Sequence, residues 1–273
     1  MPNEADTCRK LVVPKLQAAG WDSLPHSISE QAVITDGRIV PVGAGYCRKP
    51  PKRADYILRH RRDFAIAVVE AKPDYVSASA GLGQAKEYAQ MLGLPFAYST
   101  NGHEIVEFDF LTGLQTTLTE FPAPDELWAR LVASRHSLAP ITEQLLTPMN
   151  LGGGKTPHYY QEIAINRSVE AILGGTPRIL VTMATGTGKT FVAFQICWKL
   201  WAAKWNRKGD PNRRPRILYL ADRNILVDDP KDKDFLPFGS ATGGDPRFKI
   251  EGGKINHARE IYFAIYQALA GDA

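Results

Sequence analysis

Nowhere in these 273 residues is there an uncharged apolar run of the roughly 18 residues that a membrane-spanning helix requires, and the opening stretch lacks the apolar block of a secretory signal. A cytoplasmic chain is expected. Cysteine is scarce. Cys8, Cys47 and Cys197 are odd in number and widely scattered, which gives neither a disulfide framework nor a metal-ligand spacing. Excess charge is also small: at a net +4 the bulk electrostatics permit a polyanionic partner without demanding one. Basic residues do gather locally, at Arg48, Lys49, Lys52 and Arg53, at Arg59, Arg61 and Arg62, and from Lys204 to Arg216. Any one of these clusters alone reads as a solvated face. No internal repeat is present. What the chain does have is length and 44% hydrophobic residues, enough for one large or two medium domains with real cores.

The pattern divides the chain in two. Residues 1 to about 20 place Leu11, Val12, Leu16 and Ala19 at helical spacing and stop at Gly20. Short runs rich in β-branched residues follow at 32–34, 38–42, 54–58 and 64–71, and the polar turn 59–63 makes the last two a hairpin. A helix over 76–92 closed by Gly93, strands at 95–100 and 104–109, and a helix at 125–136 complete a mixed α/β domain over residues 1–137. The Pro-, Gly- and Asn-rich stretch 138–158 reads as a linker. From 159 to 273 the text alternates: helix 159–173, strand 178–183, a glycine loop, helix 189–205, strand 216–221, short helix 223–228 and strand 260–266. That alternation predicts a parallel doubly wound sheet.

The glycine loop, Met183-Ala184-Thr185-Gly186-Thr187-Gly188-Lys189-Thr190, carries the strongest chemical signal. Converging backbone N–H donors are needed to hold a triphosphate, and Gly186 and Gly188 let the chain curl tightly enough to supply them with Thr185 and Thr187. Lys189, opening the next helix, reaches the β and γ phosphates; the Thr190 hydroxyl binds magnesium. Met183 stands where the general pattern has glycine. Gly152-Gly153-Gly154-Lys155-Thr156 also ends in Gly-Lys-Thr, but no apolar strand leads into it and Pro157 follows, so it belongs to the linker.

A second constellation lies upstream. Asp55 sits on one strand of the hairpin, while Glu70 and Lys72, two apart on the other, point to one face. Two converging carboxylates bind a divalent cation, usually magnesium, and Lys72 orients the attacking water or offsets developing charge. Glu70 and Lys72 interrupt the apolar run Ala65 to Val69, where an unpartnered charge is costly. The plain alternative is a Glu–Lys pair at a strand end.

Around the glycine loop the sequence resembles the first motor lobe of superfamily two helicases and translocases. Tyr160-Gln161 resembles the motif in which Gln161 reads the adenine edge of ATP, Ile217 to Ala221 with Asp222-Arg223 resembles the next motif, and Tyr262 to Leu269 a further one. In relatives the second motif lines the DNA path, although Arg223 could equally cap a helix. The Asp-Glu pair and second lobe of such motors do not follow, so the resemblance implies an amino-terminal fragment with negligible ATP hydrolysis. Asp55, Glu70-Ala71-Lys72 and Gln84-Ala85-Lys86-Glu87-Tyr88 match the PD-(D/E)xK nuclease pattern, with Ala54 in place of proline. The added Gln84 and Tyr88, four apart on a helix face, are similar to those of the restriction subunit of type I restriction-modification enzymes, in which the nuclease domain precedes the motor.

That resemblance implies magnesium-dependent cleavage of double-stranded DNA, ATP-driven translocation, and methylation and specificity subunits as partners that read the sequence. It also implies that Gln84 and Tyr88 touch DNA or position the metal-bound water, and that Glu4 approaches the metal. Two other readings stay open: a superfamily two helicase with a non-cleaving accessory domain, and a module that uses the P-loop only as a nucleotide switch.

Overall fold

The computed structural model describes residues 7–35, 39–42, 45–48, 51–135, 141–154, 156–210, 212–239 and 244–269. Glu4 lies outside them, as do the side chains of Arg48 and Lys49. The chain forms two compact units, Met1–Ala139 and Pro140–Ala273.

The first unit is built on a six-stranded mixed sheet. β1 (Ser27–Thr35), β4 (Lys52–Arg61), β5 (Phe64–Ala71), β6 (Phe96–Thr100), β7 (Ile105–Asp109) and β8 (Gln115–Leu118) lie side by side in that order. β2 (Ile39–Val42) and β3 (Gly45–Arg48) form a separate hairpin. All neighbours are antiparallel except β5 and β6. A parallel pair needs a crossover, and α2 (Leu82–Leu92), following α1 (Val13–Ala18) in chain order, supplies it. Leu82, Ala85, Tyr88, Ala89 and Leu92 recur at three- and four-residue spacing and are the buried face of α2. Gly93 ends the helix at φ +67°, the left-handed conformation that costs a β-carbon dearly. β5 is buried from Ile66 to Ala71, as a central strand must be.

Several boundaries differ from the sequence expectation. The helix expected over 1–20 is a π-helical turn, Cys8–Val12, running into α1. That expected from 76 starts at Leu82, because a 3₁₀ turn, Ala78–Gly81, capped by the Ser77 hydroxyl, comes first. β3 and β8 were not expected. Gln115, Thr116 and Thr117 of β8 are exposed and only Leu118 is half-buried, so that strand has no apolar period to betray it.

α3 (Pro124–Ser134) lays Arg130 against β7. The guanidinium donates to both Glu107 oxygens, at 2.7 and 3.1 Å, and to Asp109 Oδ2 at 2.8 Å, while the Tyr98 hydroxyl donates to Glu107 Oε2 at 2.5 Å. Glu107, Asp109 and Tyr98 are buried, so four polar groups answer one another inside the sheet layer. Nearby, His60 stacks on Trp128 with ring centres 4.7 Å apart and is 2% exposed. Burial holds its pKa down at about 4. A histidine that stays neutral when folded yet protonates near 6.5 when unfolded stabilises the fold fully above pH 6.5, and that contribution is lost as pH falls toward 4. Between pH 6.5 and 4 the unfolding free energy should therefore drop by on the order of 3 kcal/mol from this group alone. Urea titrations of His60→Phe across that window should show a flatter profile; an unchanged slope would refute the assignment.

The second unit has a three-stranded parallel sheet in the order β10 (Arg247–Lys249), β11 (Ile261–Ile265), β9 (Ile217–Ala221). α5 (Tyr159–Leu173) and α6 (Lys189–Ala202) pair with each other, and Phe194, Trp201, Phe235, Phe238 and Phe263 form the core between α6 and the sheet. The strand expected at 178–183 does not form: residues 178–182 are exposed, Leu180 to 90%. Among the described residues no strand lies beside that segment, and an extended segment without a neighbour to take its N–H and C=O groups is not a strand whatever its apolar content. Within 138–158, α4 (Thr142–Leu145) and Met149 pack on this unit with Leu145 fully buried. The Gln195 amide of α6 bonds both backbone groups of Asn150, at 2.9 and 2.6 Å. Two short helices, α7 (Ile225–Asp229) and α8 (Leu236–Gly239), follow β9. No helix among the described residues is long and apolar enough to cross a membrane.

Candidate functional site

Strand register assembles the first site. Tyr56 pairs with Val69 across the β4–β5 hairpin, so one step further along Asp55 stands opposite Glu70 on the same face. Glu70 in turn pairs with Ser99 on parallel β6. Asp55, Glu70 and Ser99 thus form a row across three strands, buried to 8%, 3% and 0% exposure. Asp55 Oδ2 accepts the backbone N–H of Ala71 at 2.8 Å, which ties its carboxylate to the end of β5. Lys72 completes the cluster, its Nζ 2.9 Å from Glu70 Oε1 and 3.4 Å from Gln84 Oε1. Gln84 Nε2 donates to the Tyr88 hydroxyl at 2.9 Å, so Glu70, Lys72, Gln84 and Tyr88 form one bonded chain, while Asp55 is tied to it through the Ala71 backbone on the adjacent strand.

Three members escaped sequence reading. Gln31, on β1, donates through Nε2 to Asp55 Oδ1 at 3.0 Å. Its backbone has φ +47°, a left-handed conformation that costs a residue other than glycine roughly 1 kcal/mol or more. The turn drops Gln31 out of a ladder in which Glu30 and Ala32 are both paired. Strain of this kind at a carboxylate marks a position held by its surroundings. Gly81 is the second. A β-carbon there would stand 2.6 Å from Ser99 Oγ, 3.0 Å from Lys72 Cε and 3.1 Å from Glu70 Cγ, so the start of α2 touches the cluster and a larger residue must push these side chains aside. Ser99 is the third: its buried hydroxyl has no hydrogen-bond partner among the described residues. None of the three stands in a sequence motif, and only the register of β1 and β6 and the approach of α2 bring them in.

The donor set suits magnesium. Among the described residues no group of three or more His, Cys, Asp or Glu side chains converges. Magnesium keeps several of its waters and is commonly held by one or two carboxylates, which Asp55 and Glu70 supply. A buried hydroxyl beside them, at Ser99, fits an outer water.

The second site is the glycine loop. Gly186 and Gly188 both adopt φ +80°, and α6 starts at Lys189, so the local geometry survives without the preceding strand. Lys189 Nζ folds onto the carbonyls of Ala184 and Met183 at 2.9 and 3.3 Å, and Thr187 Oγ1 donates to Ala184 O at 2.6 Å. Gln161 spans the cradle. Its Oε1 accepts from His158 N at 2.9 Å and its Nε2 donates to Thr187 O at 2.9 Å. A β-carbon at Gly188 would come 2.4 Å from that Nε2, a second reason for glycine there. With donor and acceptor both engaged by backbone, Gln161 fastens the start of α5 to the loop in this conformation rather than presenting an open amide to a base. Thr190 lies beside the Tyr219 hydroxyl of β9, Thr185 is exposed, and Arg223 is exposed with the Asp222 carboxylate 3.7 Å away. Gly152–Gly154 form a 3₁₀ turn, and among the described residues the next helix starts at Tyr159.

A buried carboxylate pair with a lysine on a mixed sheet, and in the second unit a glycine loop that opens a helix over a parallel sheet, define a nuclease-type α/β domain followed in sequence by a P-loop α/β lobe. Comparison with known proteins agrees. Residues 154–273 match the family described as type III restriction enzyme, res subunit. The chain is 40% identical, over 98% of its length, to the endonuclease subunit of the type I restriction enzyme EcoAI from Escherichia coli, and 30% identical over 58% of its length to that of EcoKI from strain K12. A solved fragment assigned as an HsdR subunit of a type I restriction enzyme from Vibrio vulnificus YJ016 superposes with a TM-score of 0.83 at 53% identity over 98% of this chain. The chain belongs to the family of type I restriction enzyme endonuclease subunits. It spans 32% of the EcoAI and 13% of the EcoKI subunit, and 48% of the solved chain.

Proposed function

We propose that this chain carries the magnesium-dependent, double-stranded DNA-cleaving part of a type I restriction endonuclease and the start of its ATP-driven translocating motor. Residues 1–137 cleave, residues 159–273 bind ATP, and the stretch 138–158 joins them in a cytoplasmic enzyme. The observation that carries this reading is the row of Asp55 and Glu70 on adjacent strands with the Lys72 ammonium 2.9 Å from Glu70.

Asp55 and Glu70 would hold the cation, which when bound neutralises the scissile phosphate and acidifies a water. Lys72 would hold that water or the developing phosphorane charge. Gln84, bonded to Lys72 and Tyr88, would keep the ammonium aimed and meet the DNA with the Tyr88 hydroxyl. In the second unit, the loop amides from Thr185 to Gly188 would cradle the triphosphate once Lys189 swings off its carbonyl contacts, with Thr190 on magnesium and Gln161 released toward the adenine. Methylation and specificity subunits would supply the sequence recognition.

The test is metal binding. Titrating magnesium and manganese into the 273-residue chain by calorimetry should give one site that Asp55→Asn and Glu70→Gln each weaken at least tenfold. If both variants bind like the parent, the accessory domain is non-cleaving and only the helicase reading survives.

A further inference from the structure

We propose that a basic cavity at the carboxy-terminal end of α6 is a second nucleic-acid contact, binding backbone phosphates of duplex DNA; this rests on duplex DNA being the substrate. The cavity, about 550 Å³, opens where the chain enters β9 and β11. Lys204, Arg213, Arg214, Arg216 and Arg259 line it against one carboxylate, Glu260. That carboxylate is already engaged, accepting the Trp201 indole N–H at 2.6 Å. A helix C-terminus attracts one or two cations, but five around one cavity repel one another unless a polyanion enters.

The lining is built for a ligand. The Arg214 guanidinium lies 3.6 Å from the Trp201 ring centre, which holds it flat on the wall. Arg259 Nε is buried and has no hydrogen-bond partner among the described residues. Lys204 takes φ +53° directly after α6, at a position where glycine is the usual occupant, so backbone strain is accepted to place an ammonium at the rim. Arg216 donates to His257 O at 3.3 Å, and Arg213 lies 3.4 Å from Asp210, contacts that leave most of their donors available.

Position separates this cavity from the triphosphate cradle. Lys189 begins α6 and Trp201 lies near its far end, twelve residues on and about 18 Å away at 1.5 Å per residue. Arg207, Lys208 and Lys254, in the loops that follow α6 and precede β11, are exposed and add positive charge to the chain around the cavity residues. That continuation suits an extended polyanion better than a compact one.

The experiment measures anisotropy of a labelled blunt duplex of about 20 base pairs with the 273-residue chain in EDTA, across a salt series. Arg213→Ala/Arg216→Ala should weaken binding at least tenfold and lower the slope of log affinity against log salt by about 2. Arg167→Ala/Lys233→Ala, exposed positions of the same unit with the same loss of charge, should cost far less. Equal losses in the two pairs, or no loss in the cavity pair, would overturn the proposal. Tripolyphosphate provides the other arm: a cavity variant that loses tripolyphosphate binding but keeps duplex binding would assign the site to a compact ligand and overturn it too. Because EDTA removes the cation, failure of the nuclease reading leaves this readout untouched.

Discussion

Lys72→Ala, placed in the full-length subunit assembled with its partners, should lower DNA cleavage by about 10²- to 10³-fold, the loss expected when one positioned charge facing a developing anion is removed. ATP affinity should stay within twofold of the parent. The asymmetry follows from the architecture, since Lys72 contacts Glu70 and Gln84 in the first unit while Lys189 and the glycine loop belong to the second. Gly81→Ala provides an independent check on the same pocket: its added methyl must displace Ser99, Lys72 or Glu70, and cleavage should fall with no loss of ATP turnover. Equal loss of cleavage and ATP turnover in Lys72→Ala would reject the division of labour between the units.

Arg130→Met should destabilise the first unit by about 3 kcal/mol, because it leaves Glu107 and Asp109 buried with no counter-ion. The figure sits at the low end for a broken buried pair, since the Arg130 side chain keeps 30% of its surface in water. Arg130→Lys should fall between, as a single ammonium cannot reproduce three guanidinium bonds or the contact over the Phe96 ring at 4.6 Å. Urea midpoints of the three proteins measure the order directly, and a midpoint for Arg130→Met equal to the parent would show that the carboxylates reach water.

The legible parts of this chain were those in which chemistry and local pattern coincide. The Glu70-Ala71-Lys72 interruption of an apolar strand, the Gln84 and Tyr88 spacing on one helix face, and the Gly186–Thr190 loop each state their geometry within a few residues, because a strand repeats at two, a helix at 3.6, and a phosphate cradle requires glycine. The end of β5, α2 and the turn into α6 carry these residues in the structure. The joining of Asp55 to Glu70 was also readable, since one short turn fixes the hairpin.

Partnerships between distant segments were not readable. Gln31 reaches Asp55 across β1 through a left-handed backbone that no composition announces, and Ser99 joins the row only because β6 pairs in parallel with β5 at one register. The segment 178–183 has every local mark of a strand and is none, because strand character belongs to a ladder and not to a segment. Gln161 carries the residue type for reading adenine, yet its amide is taken by backbone on both sides. The sequence by itself determined which chemical groups stand at these two sites, through residue types at fixed short spacings. Tertiary structure alone decided which of them meet and which cations are left crowded around a cavity, because contacts across tens of residues depend on register and packing that no local pattern encodes.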